Sequence, residues 1–175
     1  RLELSHVVAG VPELVETIDL DITLAANIAS SPIYRSTVAR IVMTMGFELV
    51  HVRHLFKHAQ DDLADILRAV GVPSVLSFHD FYFVCPNIHL LDDQGNFCGG
   101  VCTPGAGECS APATGTALSI PLKHDWVYDW RDAVRGRFDG FNQFVTTSPS
   151  AARIITNRFP AHGDGRLTEM HHGRD

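Results

Sequence analysis

The chain has 175 residues, with 14 Lys and Arg against 20 Asp and Glu, a formal net charge of −6. That length suits one domain that buries a full core without disulfide staples, and the acid excess argues against nucleic acid as a partner. No apolar run reaches the ~20 residues of a membrane span and no signal-peptide pattern opens at Arg1, so the expectation is a soluble, cytoplasmic protein. The chain begins without a methionine, as a piece of a longer protein would.

Leu2 to Val8 alternates apolar and polar residues ahead of Gly10 and Pro12, which predicts a half-exposed strand. Ser31-Pro32 supplies an N-cap and a proline for the first turn of a helix. In that helix Tyr34, Val38, Ile41, Val42 and Met45 share a face until Gly46. Phe47 to Val52 reads as a strand. Ala59, Leu63, Ile66, Leu67 and Val70 form the stripe of the next helix, closed by Gly71 and Pro73, with Asp61, Asp62 and Asp65 expected towards water. Val75 to Phe78 reads as a buried strand that ends in His79 and Asp80.

From Asn87 to Thr116 the composition turns to Gly, Pro, Cys, Ser and Thr without periodicity, an insertion over 86–117. Leu122, Trp126, Trp130, Val134 and Phe138 then recur at helical spacing, with Lys123, Arg131, Arg135 and Arg137 among them. Phe144 to Thr147 is a short strand, Ser148-Pro149 opens a helix that ends at Phe159-Pro160, and Leu167 to Met170 is a last strand. Strands alternating with helices imply a Rossmann-like parallel sheet with helices on both faces, residues 1–175 forming one α/β domain. No G-x-G-x-x-G follows a strand and no P-loop pattern is present, which removes the common dinucleotide and nucleoside-triphosphate sites.

Polar residues at the carboxyl ends of parallel strands face the ligand crevice of such a sheet. By that rule His79 and Asp80 are candidate catalytic groups, and His51, Arg53 and His54 candidate substrate-binding groups. Strand alternation places His51 and Arg53 on one face and His54 on the other unless the strand has already ended. Ser148, at a helix start, is a candidate ligand contact, although the N-cap role alone explains it. Cys85, Cys98, Cys102 and Cys109 follow the spacing C-x12-C-x3-C-x6-C in a Gly/Pro-rich loop. Four thiolates on one structural zinc would fold such a loop, while Cys85 as a small apolar core residue beside free thiols, or disulfides formed after purification, remain open. The Trp126/Trp130 stripe reads as core packing, and Asp61-Asp62 and Asp92-Asp93 as solvated surface.

Four segments in order, Val50-His51-Val52-Arg53-His54-Leu55, Phe78-His79-Asp80-Phe81-Tyr82-Phe83-Val84-Cys85-Pro86, Val145-Thr146-Thr147-Ser148 and Met170-His171-His172-Gly173-Arg174-Asp175, resemble the N-terminal half of a family 4 (group 1) retaining glycosyltransferase of GT-B fold. The resemblance implies a hexosyltransferase of polysaccharide or glycolipid synthesis, in which this half binds a carbohydrate or lipid-linked acceptor. It implies that a C-terminal half, absent from this chain, holds the nucleotide-sugar donor, with no cofactor needed for catalysis. It also places His79 beside the transferred sugar and permits peripheral contact of the basic residues near Trp126 with a membrane face. The family's donor-binding E-x7-E pattern is not found, since no two glutamates of this chain are eight positions apart, so the isolated chain is expected to be inactive. The residues alone leave a non-catalytic α/β binding or regulatory module as the alternative, in one form organised by zinc.

Overall fold

A computed structural model describes residues 1–20, 28–102, 109–112, 119–122, 125–163 and 165–171. The chain opens with a hairpin of β1 (Leu2–Val8) and β2 (Val11–Ile18), joined at Ala9 and Gly10, whose φ angles of 50° and 82° are the left-handed pair that a tight two-residue hairpin needs. The first strand was expected; its antiparallel partner was not. The two form a sheet of their own, and Val7, Val8, Val11, Leu14 and Val15 remain exposed on it.

Helix α1 (Pro32–Thr44) starts as its sequence predicts, with the Ser31 hydroxyl accepting from Tyr34 N–H and Pro32 in the first turn. Strand β3 is only Val50–Val52, shorter than the Phe47 to Val52 expected, so the chain has left the strand before His54. Helix α2 (Gln60–Val70) ends on Gly71 at φ 71°, where a left-handed residue closes the last turn. Strand β4 (Ser74–Phe78) runs parallel to β3. In the inserted segment β5 (Ser110–Pro112) and β6 (Ser119–Pro121) pair antiparallel. Helix α3 (Asp125–Phe138), β7 (Gln143–Thr146), α4 (Pro149–Arg158), the short α5 (Pro160–Gly163) and β8 (Leu167–Glu169) complete the described order.

The architecture is mixed α/β, a four-stranded parallel sheet in the order β3-β4-β7-β8 flanked by helices. Its core is aromatic. Phe78, Phe83, Phe138, Phe144 and Phe159 are all at most 2 % exposed, and their ring contacts run from 4.9 to 5.6 Å in edge-on, tilted and stacked geometries. Trp126 and Trp130 stack at 6.0 Å, and the buried Trp130 donates its indole N–H to the Tyr82 carbonyl, so this stripe packs as expected.

One surface expectation is corrected. Asp62 does not face water: it is 1 % exposed and accepts from Ser30 Oγ, Ser31 N–H and, at 3.4 Å, Arg35, which ties the start of α1 to α2. Helical periodicity marks a polar face but cannot tell whether another element's amides will cover part of it. Arg131 and Arg137 point inwards, and Lys123 lies outside the described residues. Among the described residues no helix is long and apolar enough to cross a membrane.

The turn after α3 lies against α2 at Gly140, where an added Cβ would stand 2.5 Å from the Ala64 carbonyl oxygen and 2.8 Å from Ala64 Cα. Backbone cannot yield as a flexible side chain does. Gly140→Ala is therefore expected to lower stability by about 1–3 kcal/mol, read as a shift in the urea midpoint at unchanged slope. A midpoint equal to that of the native chain would mean that the turn after α3 can lift off α2 freely.

Candidate functional site

Strands β3 and β4 are adjacent and parallel, with Val52 level with Leu76, so the chain leaves both at the same edge of the sheet. His54 follows β3 by two residues, and His79 and Asp80 follow β4 directly. The His54 Nε2 lies 2.8 Å from Asp80 Oδ2, the His79 Nε2 lies 3.5 Å from the same oxygen, and the two imidazole centroids are 5.1 Å apart. The other Asp80 oxygen accepts the Tyr82 N–H at 2.9 Å, a local turn that aims the carboxylate at both histidines.

The tautomer of His54 follows from its second nitrogen. Nδ1 accepts the Phe56 N–H at 2.6 Å, so the ring proton is on Nε2 and is donated to Asp80. His54, His79 and Asp80 have their ligand atoms within 4.8 Å of one another, which is metal-ligand spacing. A neutral His54 could offer Nε2 to a metal only by moving its proton to Nδ1 and losing the Phe56 contact. The hydrogen bonds therefore favour an imidazole, carboxylate, imidazole cluster over a metal centre. Burial of Asp80 acts to raise its pKa. The hydrogen bonds from His54 and Tyr82 N–H and the two nearby imidazoles outweigh it, leaving the carboxyl below the usual carboxylate value. His79 is the accessible member; no hydrogen bond fixes its ring among the described residues.

A cavity of about 480 Å³ opens on the other side of His54, between the hairpin, α1 and β3. His51, Arg53, His54 and His58 stand on its wall with Tyr34, and the remainder is mostly aliphatic. All three expected residues of the β3 end thus reach one cavity, because the strand stops at Val52 and alternation no longer separates His54 from His51 and Arg53. His79 and Asp80 do not line it. His51 shares a 2.7 Å hydrogen bond with Ser77, and Arg53 is exposed. Ser148 is not part of this cavity: its hydroxyl accepts the Ala151 N–H at 3.2 Å and meets Ser150, so the N-cap role accounts for it. His171 is described, whereas His172 to Asp175, the rest of the fourth resembling segment, lie outside the described residues.

Sequence reasoning missed His58 and a buried polar chain under the cluster. No periodicity could have found His58, because residues 53–59 run as coil and turn between β3 and α2. The His58 Nδ1 lies 2.7 Å from the Tyr34 hydroxyl. Burial, then the nearby Asp62 charge, raises the Tyr34 pKa, while burial, then His54, lowers that of His58. Behind Asp80, the buried Arg137 donates to Gln60 Oε1 and Asp61, and Gln60 Nε2 donates to the Tyr82 hydroxyl. The residue whose N–H orients Asp80 is thereby anchored to α2 and α3.

The lowered His58 pKa makes a pH prediction. The unfolded chain, with His58 near 6.5, takes up this proton before the folded chain does, so His58 favours the folded state above that value and stability falls as pH drops through it. The urea midpoint should fall between about pH 7.5 and about pH 5, and His58→Gln, which cannot titrate, should flatten the fall. An equally steep fall in the variant would assign it to another group. The lowered Asp80 pKa adds a separate loss at lower pH, below its ordinary 3.8.

Cys85, Cys98 and Cys102 are free thiols. Cys85 is buried, and burial pushes its thiol up to about 12, while Cys98, Cys102 and Cys109 are half-buried against the same core. No three of the four sulfurs lie within 4.8 Å of one another, so the zinc geometry expected of them is not already closed. Compared with family models, with curated proteins and with solved structures, the chain matches none.

Proposed function

We propose that this chain is the acceptor-side, Rossmann-like half of a retaining glycosyltransferase of GT-B type, working with a second α/β half that carries the nucleotide-sugar donor. One observation carries the reading: two imidazoles and a carboxylate from the ends of adjacent parallel strands converge on one point, with the His79 ring left exposed. The resemblance of the four segments points the same way. In same-face transfer the bond from the anomeric carbon to the diphosphate oxygen breaks, the bond to the acceptor oxygen forms, and the acceptor proton passes to the departing diphosphate. The protein's task is to stabilise separated charge rather than to supply a strong base. His79 suits a hydrogen bond to a hydroxyl of the transferred sugar. Asp80 holds His54 in one tautomer and balances developing positive charge, and Arg53 suits an anionic group of donor or acceptor.

A non-catalytic binding module is the second reading. It is favoured by the cavity beside His54, which is largely aliphatic and excludes His79 and Asp80. Histidine ring resonances of the chain separate the two. With the glycosyltransferase reading, His54 and His79 shift on adding an oligosaccharide or glycolipid-micelle acceptor, shift little with a nucleotide sugar, and the chain alone forms no product. Acceptors of both classes that leave His54 and His79 unmoved would remove this reading. Robust transfer by the isolated chain would overturn the division of labour between two halves.

A further inference from the structure

Away from the histidine cluster, the inserted loop meets two arginines at Gly100. Arg131 is 3 % exposed and donates from Nε to the Val84 carbonyl at 2.9 Å, and from one terminal nitrogen to the Gly100 carbonyl at 2.8 Å and to Cys102 Sγ at 3.4 Å. Arg158 comes to the same place: its Nε and an Arg131 terminal nitrogen stand 3.7 and 3.8 Å from the point where a Gly100 side chain would begin. That Arg158 Nε is buried and has no hydrogen-bond partner. Neither arginine forms an ion pair among the described residues. Arg131 is buried and Arg158 partly so, and a buried guanidinium without an ion pair among the described residues favours negative charge beside it.

Sulfur is what the loop places there. The Cys102 and Cys98 thiols and the Arg131 guanidinium lie close enough to the Cys85 thiol to act on it electrostatically. Between Cys98 and Cys102 the chain folds back through Gly99 and Gly100, at φ 59° and 73°, and the Val101 N–H closes the turn on the Cys98 carbonyl at 2.9 Å. Left-handed backbone at two successive positions is cheap only for glycine, and it brings the two sulfurs round to one turn. Cys109, held through its carbonyl by the Leu122 N–H, borders the same core.

We propose that Cys85, Cys98, Cys102 and Cys109 bind one zinc ion as thiolates, with Arg131 and Arg158 as the counter-charge. Four thiolates on a divalent ion leave two negative charges, which the two guanidiniums balance. Each thiol gives up its proton to solvent as its sulfur takes a coordination position, and no redox change occurs. Because the sulfurs now stand wider than mutual ligand spacing, binding draws the Cys98 to Cys102 turn and Cys109 in towards the fixed, buried Cys85. The site then stiffens the loop that follows Asp80 without contributing to the chemistry of the histidine cluster.

Untagged, reduced chain prepared without chelator should contain about one zinc per molecule. Replacing the zinc with cobalt(II) should give sulfur-to-cobalt charge transfer in the near ultraviolet and the intense visible bands of a tetrahedral site. Cys98→Ser with Cys102→Ser should lose both signals while the far-ultraviolet circular dichroism is kept. Arg131→Gln should weaken zinc binding by about 10- to 100-fold at unchanged ligand number; if that variant does not fold, Arg158→Gln decides the point. Metal-free protein that gives no charge-transfer band with cobalt overturns the site. So does cobalt bound with an imidazole spectrum only, which would place the metal on the histidines. Native zinc affinity in the folded arginine variant overturns the counter-charge.

Discussion

Phe138→Ala is expected to destabilise the protein by about 3–5 kcal/mol, the largest loss from any single substitution of the core. The ring is fully buried and meets Phe78, Phe83, Phe144 and Phe159 as well as the His162 imidazole, at centroid distances of 4.9 to 5.6 Å. These partners come from β4, the loop after it, β7, the end of α4 and α5. Truncation therefore removes the body against which α3 is clamped to the sheet, and rings cannot collapse to fill the space as aliphatic chains can. Small domains are stable by only about 5–15 kcal/mol, so the variant should unfold at a much lower urea concentration. Phe138→Leu, which keeps most of the volume, should recover more than half of the loss. A Phe138→Ala chain within about 1 kcal/mol of the native one would mean that the cluster is not the keystone of this fold.

The second large effect concerns the strand-end cluster. In a polypeptide joining this chain to a donor-binding half, Asp80→Asn and His79→Ala are each expected to lower turnover by ~10²-fold or more. The two act differently. His79→Ala removes the exposed imidazole and leaves the hydrogen bond from His54 to Asp80 in place. Asp80→Asn removes the charge, and an amide oxygen can still accept the Tyr82 N–H only if the amide nitrogen then confronts the His54 N–H. His54 must turn over or break its contact with Phe56, so its tautomer, read from the ring nitrogen shifts of the isolated chain, should change in Asp80→Asn and not in His79→Ala. Near-normal turnover in both variants would return the cluster to a structural role.

Local chemistry in the sequence determined much of the element list. Ser31-Pro32 and Ser148-Pro149 begin helices, Gly71 ends one, and the apolar runs ending at Val52 and Phe78 are strands, because caps, ring closure and left-handed glycine act within a few residues. The expectation that polar residues at those strand ends would meet also needed only the rule for parallel sheets, and His54, His79 and Asp80 do converge. Other features depend on long-range partners that no periodicity reveals. Asp62 and Arg137 look like solvent-facing charges on their own helices, yet one is covered by the amide and hydroxyl of Ser31 and Ser30 and the other by Gln60 and Asp61. Arg131, read as one of a basic stripe, is turned inwards by carbonyls more than 30 residues away in sequence. The antiparallel partner of β1 escaped notice because β2 is exposed on both faces from Val11 to Thr17, and alternation is written into a sequence only where one face is hidden. Which side of His54 carries the cavity, and that His79 lies outside it, was decided by where β3 stops and the hairpin packs, a balance of tertiary contacts and not a property of any one segment.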